Sequence, residues 1–138
     1  MIAVVDIDGV LADAGHRQHH VERTPKDWDA FFAAVGDDAP IPAGLGLVRD
    51  LATDHRVVLL SGRPERTRAD TEAWLDRHDV GYERLLLRPD VDRRTASVFK
   101  AEAIRGIGDP ATLAVVVDDD ESVVETLTRM GYATRLFR

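Results

Sequence analysis

The chain has no cysteine in 138 residues, and only two of its 18 basic residues are lysines, Lys26 and Lys100. The lack of cysteine excludes a disulfide framework and any thiolate metal site. No apolar run approaches the ~20 residues that cross a bilayer, so we expect no membrane association. A basic segment followed by an apolar core is also missing at the amino terminus, so we expect no secretory signal and a cytoplasmic location.

Acidic residues outnumber basic ones by 25 to 18, giving a formal charge of −7. A broad basic surface that grips duplex nucleic acid is therefore not expected, although a local basic mouth fits the composition. The length, with a hydrophobic fraction of 44%, predicts one globular domain over residues 1–138.

Five short apolar runs alternate with segments of helical character. The runs lack the alternation of half-exposed strands, which is typical of parallel strands buried on both faces. The predicted strands are 2–5, 57–60, 85–87, 113–117 and 132–137, and the predicted helices are 44–53, 64–78, 97–107 and 121–130, the last capped by Gly131. This order predicts an α/β fold with a parallel five-stranded sheet and helices on both faces.

The segment 13–42 interrupts this alternation. It is polar, and then contains Trp28, Phe31 and Phe32. We expect a small flap with a short helix, inserted after the first strand and too short for a cap domain. The aromatic residues predict either contacts that pin this flap to the core or a platform for base stacking.

Three histidines, His16, His19 and His20, lie near the start of the flap. Spacings of three and four residues can bring histidines to one helix face, which is one arrangement that binds zinc. The alternative is a solvated surface or one that faces the substrate. The sequence leaves the role of these histidines open.

Polar side chains directly follow three of the predicted strands. Ligands of parallel α/β sheets bind beyond the carboxyl ends of the strands, so we expect these side chains to meet at one edge. They are Asp6 and Asp8 after the first strand, Ser61, Gly62 and Arg63 after the second, and Asp118, Asp119 and Asp120 after the fourth, with Lys100 in the helix before the fourth.

The carboxylates of Asp6, Asp8, Asp118 and Asp119 predict a Mg²⁺ site, because this cation prefers oxygen ligands. Asp6 is expected to attack phosphorus as a nucleophile and form an acyl phosphate. Asp8 is expected to protonate the leaving alcohol and then to deprotonate the hydrolytic water. Asp120 is expected to cap the following helix.

Ser61 and Lys100 are candidate catalytic residues, because a hydroxyl and an ammonium group stabilise phosphate oxygens. Arg63 supplies further positive charge for the substrate. Gly9 and Gly62 complete the candidate substrate-binding residues, and Gly9 lets the chain turn without a side chain in the path of the substrate.

These motifs resemble the haloacid dehalogenase (HAD) superfamily of phosphatases. That family has D-x-D-G-[TV] after strand one, Ser or Thr after strand two, Lys before strand four and an acidic pair after it. Here they are Asp6-Ile7-Asp8-Gly9-Val10, Ser61, Lys100 and Asp118-Asp119. The resemblance covers the whole chain and implies a Rossmann-like HAD fold, Mg²⁺ as cofactor and phosphoryl transfer rather than dehalogenation, since dehalogenating members lack the second aspartate.

A narrower resemblance is to the 3′-phosphatase domain of phage-type polynucleotide kinase/phosphatases. LLSGRPERTRADTEAWL, LLLRPDVDRRTASVFKAEAI and VVVDDDESVVETLTRMG are similar to that family. It has an arginine two residues after the serine and another eleven after the nucleophile, matching Arg63 and Arg17, so the resemblance makes Arg17 a further candidate substrate-binding residue. An Asp-x-Arg before the lysine matches Asp92 to Arg94.

One position departs from this family, which commonly has an acidic residue four before the lysine, where this chain has Ala96. Arg88 follows the third strand, so both Arg88 and Arg94 are candidate substrate-binding residues at the mouth of the site. No G-x-x-x-x-G-K-[ST] phosphate loop is present, so no kinase domain is expected in this chain.

The sequence thus predicts a Mg²⁺-dependent phosphomonoesterase that acts through phospho-Asp6 on 3′-phosphorylated nucleic-acid ends or nucleotides. One alternative is a phosphatase of small metabolites. Another is a phosphoacceptor signalling module, like a response-regulator receiver, although receivers carry the phosphorylated aspartate after strand three, where this chain has Leu87-Arg88-Pro89. The sequence gives no oligomeric state.

Overall fold

Five parallel strands form the central sheet of the protein, which a computed structural model describes over residues 1–138. The strands of the chain are β1 Ile2–Val5, β2 Ala12–Asp13, β3 Ala39–Pro40, β4 Arg56–Pro64, β5 Arg84–Arg88, β6 Leu113–Asp118 and β7 Thr134–Leu136. The helices are α1 His19–Glu22, α2 Trp28–Ala33, α3 Pro42–Asp54, α4 Arg68–Arg77, α5 Ala96–Ile107 and α6 Glu121–Arg129. Each predicted strand and helix has its counterpart, which confirms the α/β prediction.

The sheet has the order β5-β4-β1-β6-β7, and every neighbouring pair is parallel. Numbered along the chain, this is the doubly wound order 3-2-1-4-5, whereas a receiver has 2-1-3-4-5. The sheet therefore does not have the strand order of a receiver. The strand order reverses between β1 and β6, which is where doubly wound sheets bind their ligands.

Two apolar layers cover the sheet, because successive residues of a strand point to opposite faces. Val5 and Leu59 pack into one layer with Trp74 of α4, while Val4 and Leu60 pack into the other. The first layer also contains Leu45 and Val48 of α3, and the second contains Phe99 and Ile104 of α5 with Val123 and Leu127 of α6. The helices thus lie in pairs on opposite faces, and none of them has the length and apolarity to cross a bilayer.

The largest error in the predicted boundaries concerns Pro64. We expected it to begin a helix, but β4 continues through Pro64, which has φ −68° and ψ 154°, and a 3-10 turn over Glu65–Thr67 precedes α4. Proline tolerates the end of a strand as well as a first helical turn, because both accept its fixed φ and its missing N–H group. The longer β4 carries Ser61 and Arg63 inside the strand, where they are buried.

The flap consists of two short helices, α1 and α2, between β2 and β3. The two strands pair antiparallel, with Ala12 opposite Pro40, and so close the base of the flap. The sequence predicted one short helix and no paired strands here, because two-residue strands leave no hydrophobic pattern to detect.

Gly44 lets α3 approach the loop after β1. A Cβ atom at Gly44 would lie 1.6 Å from the carbonyl oxygen of Val10, whereas one at Gly46 would meet nothing within 4 Å. We expect Gly44→Ala to lower the free energy of unfolding by about 2 kcal/mol or more, because backbone must shift. Gly46→Ala, the matched control in the same helix, should raise it by about 0.5–1 kcal/mol. Urea denaturation measures both changes, and a neutral Gly44→Ala would contradict the close approach.

Candidate active site

Asp6 and Asp118 lie side by side at the carboxyl ends of β1 and β6, since Val5 is paired with Val117. Lys100 of α5 reaches both of them: its Nζ is 2.5 Å from Asp118 Oδ2 and 3.1 Å from Asp6 Oδ1. These three residues are buried. Two carboxylates therefore share one enclosed ammonium group.

Asp119 adds a third carboxylate to this cluster. One carboxylate oxygen from each of Asp6, Asp118 and Asp119 lies within 4.8 Å of the other two. Gly9 makes room for Asp119, because a Cβ atom there would lie 1.9 Å from Asp119 Oδ2, and its φ of +81° also favours glycine. The sequence assigned Gly9 to keeping the path of the substrate clear, whereas the space beside Gly9 is occupied here by the Asp119 carboxylate.

The cluster carries more negative than positive charge. Burial raises the pKa of Asp6 well above 3.8, and Asp118 adds to the rise, while Lys100 opposes it. Burial also raises the pKa of Asp119. Burial alone would lower the pKa of Lys100, but Asp6 and Asp118 outweigh it and raise this pKa, so the lysine stays charged.

The donors of this cluster fit a hard divalent cation. Three carboxylates contribute oxygen only, and one ammonium group cannot neutralise them, so a bound cation would favour their ionised forms. Oxygen donors with no sulfur or imidazole nitrogen are the set that suits Mg²⁺.

The Asp8 carboxylate does not join this cluster, contrary to its predicted place among the metal ligands. Its Oδ1 accepts hydrogen bonds from Nη2 of Arg63 at 2.8 Å and of Arg17 at 2.9 Å. The side chain keeps 35% of its surface exposed and lines a cleft of about 480 Å³ with Asp6 and Lys100. Asp8 thus lines the same cleft as Asp6 and Lys100, with its carboxylate held by two guanidinium groups.

Arg17 and Arg63 were predicted to bind the substrate, but both are buried, at 0% and 1% exposure. Their guanidinium groups point to Asp8 and to Asp38, so they do not face the cleft. Asp38 could not be identified from the sequence, because it lies in a run of glycine, aspartate and proline that is typical of a turn.

Ser61 and Gly62 lie where β4 passes the site. Ser61 is fully buried, and its Oγ accepts a hydrogen bond from the backbone N–H of Arg63 at 3.1 Å. Gly62 lines the cleft that contains Asp6 and also lines a second cleft of about 570 Å³. The two clefts therefore adjoin at Gly62.

Arg88 lines the second cleft, as expected for the mouth, together with Arg66 and Arg93. It forms no ion pair, and its Nη2 donates to the carbonyl oxygen of Arg94 at 2.9 Å. Arg94 instead pairs with Asp92 and Glu102 on the surface and lines neither cleft. Its predicted contact with substrate is therefore not supported by its position.

The three flap aromatics differ in their contacts and exposure. Phe31 packs against the Arg17 guanidinium, 4.3 Å from the ring centroid, and so pins the flap. Trp28 is 47% exposed and lines the second cleft with Phe32. The ring of His16 lies 2.6 Å from Asp38 Oδ1, and no group of histidines has metal-ligand geometry.

Several solved structures have a similar fold. A chain in the Pnkp1/Rnl/Hen1 complex superposes with a TM-score of 0.81 at 22% identity, over 99% of this chain and 45% of that chain. A HAD-family enzyme of Bacteroides thetaiotaomicron, in complex with magnesium and inorganic phosphate, gives 0.59 at 16% identity, over 99% and 93%. The class C acid phosphatase of Bacillus anthracis gives 0.68 at 16% identity, over 99% and 65%.

At these identities the structural similarities establish the fold, and this chain spans less than half of the Pnkp1/Rnl/Hen1 chain that it matches. None of the curated proteins matches the sequence. The family model of the polynucleotide kinase PNKP phosphatase domain matches residues 1–135, nearly the whole chain. This match confirms the resemblance noted in the sequence: the chain is a HAD-type phosphatase and belongs to the family of PNKP phosphatase domains.

Proposed function

We propose that this protein hydrolyses phosphomonoesters at the 3′ ends of nucleic acids or nucleotides, with Mg²⁺ and a phospho-Asp6 intermediate. The observation that carries the chemistry is the placement of Lys100 between Asp6 and Asp118, beside Asp119, in an open cleft. This arrangement combines a buried nucleophile with a cation site and a fixed positive charge.

The reaction proceeds in two steps. In the first, a carboxylate oxygen of Asp6 attacks phosphorus, the bond from phosphorus to the substrate alcohol breaks, and Asp8 gives its proton to the departing oxygen. In the second, Asp8 takes a proton from water, the water oxygen attacks phosphorus, and the bond to Asp6 breaks to release phosphate. Both carboxyl groups thereby return to their initial states.

Each residue of the cluster has a distinct task in these steps. Lys100 holds Asp6 Oδ1 in place and stays charged beside the transferred group. Asp6, Asp118 and Asp119 would hold Mg²⁺, which when bound supplies positive charge to the phosphoryl oxygens and relieves repulsion among the carboxylates. The contact of the Ser61 hydroxyl with phosphate oxygens stays a prediction, since Ser61 is fully buried and its Oγ accepts a hydrogen bond from the backbone of Arg63.

The second cleft supports a nucleic-acid or nucleotide substrate. It adjoins the catalytic cleft at Gly62 and offers Arg88 and Arg93, neither of which has a carboxylate partner. Trp28 presents an exposed ring there, and a base can stack on it. Arginine guanidinium groups suit backbone phosphates. A chain with a net charge of −7 would hold a strand end at such a local site rather than along a duplex.

The test is Mg²⁺-dependent phosphate release, with kcat/KM compared for a 3′-phosphorylated oligonucleotide and a 3′-mononucleotide, and Asp6→Asn as the blank. We expect the oligonucleotide to be favoured by about tenfold or more, which is about 1.4 kcal/mol of transition-state binding. Equal or better turnover of the mononucleotide would instead identify a metabolite phosphatase.

A matched pair of arginine variants tests whether the oligonucleotide gains its additional binding energy in the second cleft. Arg93 lines the second cleft, whereas Arg105 is an exposed, unpaired arginine in the last turn of α5. Arg93→Gln should lower kcat/KM for the oligonucleotide by about threefold to tenfold, without a comparable loss for the mononucleotide. Arg105→Gln should change neither, and equal losses in both variants would place the oligonucleotide elsewhere.

A further inference from the structure

Four charged side chains form a network behind the catalytic cleft: Asp8, Arg17, Asp38 and Arg63. The partly exposed ring of His16 also contacts it, 2.6 Å from Asp38 Oδ1. Asp38 is at its centre, with a side chain that is 0% exposed. Its Oδ1 accepts from Arg17 Nε at 2.8 Å, and its Oδ2 accepts from Nη2 of both arginines at 2.9 Å. The same two Nη2 atoms reach Asp8 Oδ1. The guanidinium groups thus bridge an enclosed carboxylate to one that faces the cleft.

Contacts from the core hold this network in place. Arg63 Nη1 donates to Thr71 Oγ1 at 3.1 Å, and Trp74 Nε1 donates to the Asp38 carbonyl oxygen at 2.8 Å. Thr71 and Trp74 belong to α4, whereas Arg17 and Asp38 come from the two ends of the flap. The positions of both guanidinium groups are therefore fixed by α4 and β4 as well as by the flap.

The two carboxylate oxygens of Asp8 differ in the hydrogen bonds that they accept. Oδ1 accepts from Nη2 of both Arg17 and Arg63, whereas Oδ2 accepts only from Arg63 Nε, at 3.2 Å. The side chain is 35% exposed and lines the cleft with Asp6. Oδ2 is therefore the oxygen that has capacity left for the leaving-group oxygen or the attacking water.

We infer that Asp38 is a positioning residue for phosphoryl transfer: through Arg17 and Arg63 it holds Asp8 so that Oδ2 faces the cleft. The inference rests on the proposed function, in which Asp8 carries the proton. It assigns the two arginines to the same task and not to contact with substrate. Asp38 itself touches no substrate, since its side chain is enclosed.

A purely structural role would have a different kinetic signature. If the network only stabilised the fold, loss of Asp38 would lower kcat/KM for every substrate in the same proportion. If it orients the proton donor, the loss depends on the leaving group, because an alkyl alcohol needs a proton on departure and a nitrophenol does not. The parameter kcat/KM reports the formation of the acyl phosphate and is insensitive to its hydrolysis.

The experiment compares Asp38→Asn with the wild type on a 3′-mononucleotide, which releases an alkyl alcohol, and on p-nitrophenyl phosphate. We expect kcat/KM to fall by about 100-fold on the mononucleotide and by less than about fivefold on the aryl ester. The matched control is Asp37→Asn, which removes the same charge from an exposed neighbour and should alter neither value. Equal losses on both substrates, or no loss on the mononucleotide, would overturn the inference.

Thr71→Val is measured in parallel, because Asp38→Asn leaves two buried guanidinium groups short of an acceptor and can prevent folding. It removes one contact of Arg63 and keeps every charge. We expect the alkyl-to-aryl ratio of kcat/KM to fall by about threefold to fivefold, and an unchanged ratio in the folded variant would also overturn the inference. Failure of the proposed function would look different, since the wild type would then hydrolyse neither ester or Asp6→Asn would retain activity.

Discussion

Asp6→Asn is expected to lower kcat by about 10⁴-fold or more and to abolish the phosphorylated intermediate. The amide nitrogen and oxygen cannot replace a carboxylate oxygen that attacks phosphorus. The amide oxygen can still accept the hydrogen bonds from Ile7 N and Lys100 Nζ that Asp6 Oδ1 accepts at 2.8 and 3.1 Å. The loss should therefore be chemical and not a loss of fold.

Although Asp6→Asn lowers turnover, it is not expected to lower the stability of the metal-free protein. Burial raises the pKa of Asp6 in the folded state, so its contribution to stability is present below the unfolded pKa and is lost as pH rises through the folded pKa. At neutral pH the metal-free wild type is therefore destabilised by burial of this titratable group, and the variant with a neutral asparagine is not. In EDTA at pH 7.5, Asp6→Asn should melt at or above the temperature of the wild type.

The measurements are rapid acid quench with labelled substrate, steady-state turnover and thermal melting. Asp50→Asn, the same change at an exposed position of α3, is the control for turnover and should match the wild type. Full turnover in Asp6→Asn would show that another group attacks phosphorus.

Lys100→Met is the second variant with a large expected effect. Methionine fills a similar volume but leaves Asp6 and Asp118 buried without the ammonium group that contacts both. Removing one partner of a buried ionic cluster costs about 3–5 kcal/mol, so we expect a loss of this size in metal-free buffer. Turnover should fall by about 100-fold or more, because a fixed charge beside the transferred group is lost.

Mg²⁺ should partly rescue the stability of Lys100→Met. A divalent cation bound by the three carboxylates restores positive charge, and binding to the folded state alone raises its stability. The rise in Tm on adding Mg²⁺ should therefore be larger in this variant than in the wild type. Lys26→Met, at the only other lysine, is the stability control and should cost less than about 0.5 kcal/mol. A variant as stable as the wild type in EDTA would contradict the role of Lys100.

The residues at the carboxyl end of the sheet could be predicted because they lie close in sequence to the apolar runs that mark the strands. Apolar runs mark β1, β4 and β6, and the polar residues that matter follow each run within two or three positions. Parallel strands end at the same edge, so Asp6 and Asp118 were expected at one edge of the sheet. That β1 and β6 are neighbours required the structure. Lys100 followed from the family pattern and its place before β6.

The network behind the cleft could not be predicted because its contacts are long-range. Asp38 lies 21 residues from Arg17 and 25 from Arg63, and Arg63 lies 55 from Asp8. No periodicity relates these positions. A buried aspartate in a turn-like run is indistinguishable in sequence from a solvated one. The two arginines were identified from the family, but the direction in which their guanidinium groups point required the structure.

The scarcity of lysine gives the protein a practical property. Lys100 is buried, so Lys26 in the flap is the one exposed side-chain amine, besides the α-amino group of Met1. An amine-reactive dye would therefore attach to the Lys26 side chain or to the α-amino group. If the α-amino group is blocked, Lys26 is the single labelling site. With no cysteine in the chain, a single introduced thiol gives a second, chemically orthogonal attachment point. A donor and an acceptor dye can therefore be placed on the flap and the sheet of the same molecule, which makes distance changes between them directly measurable.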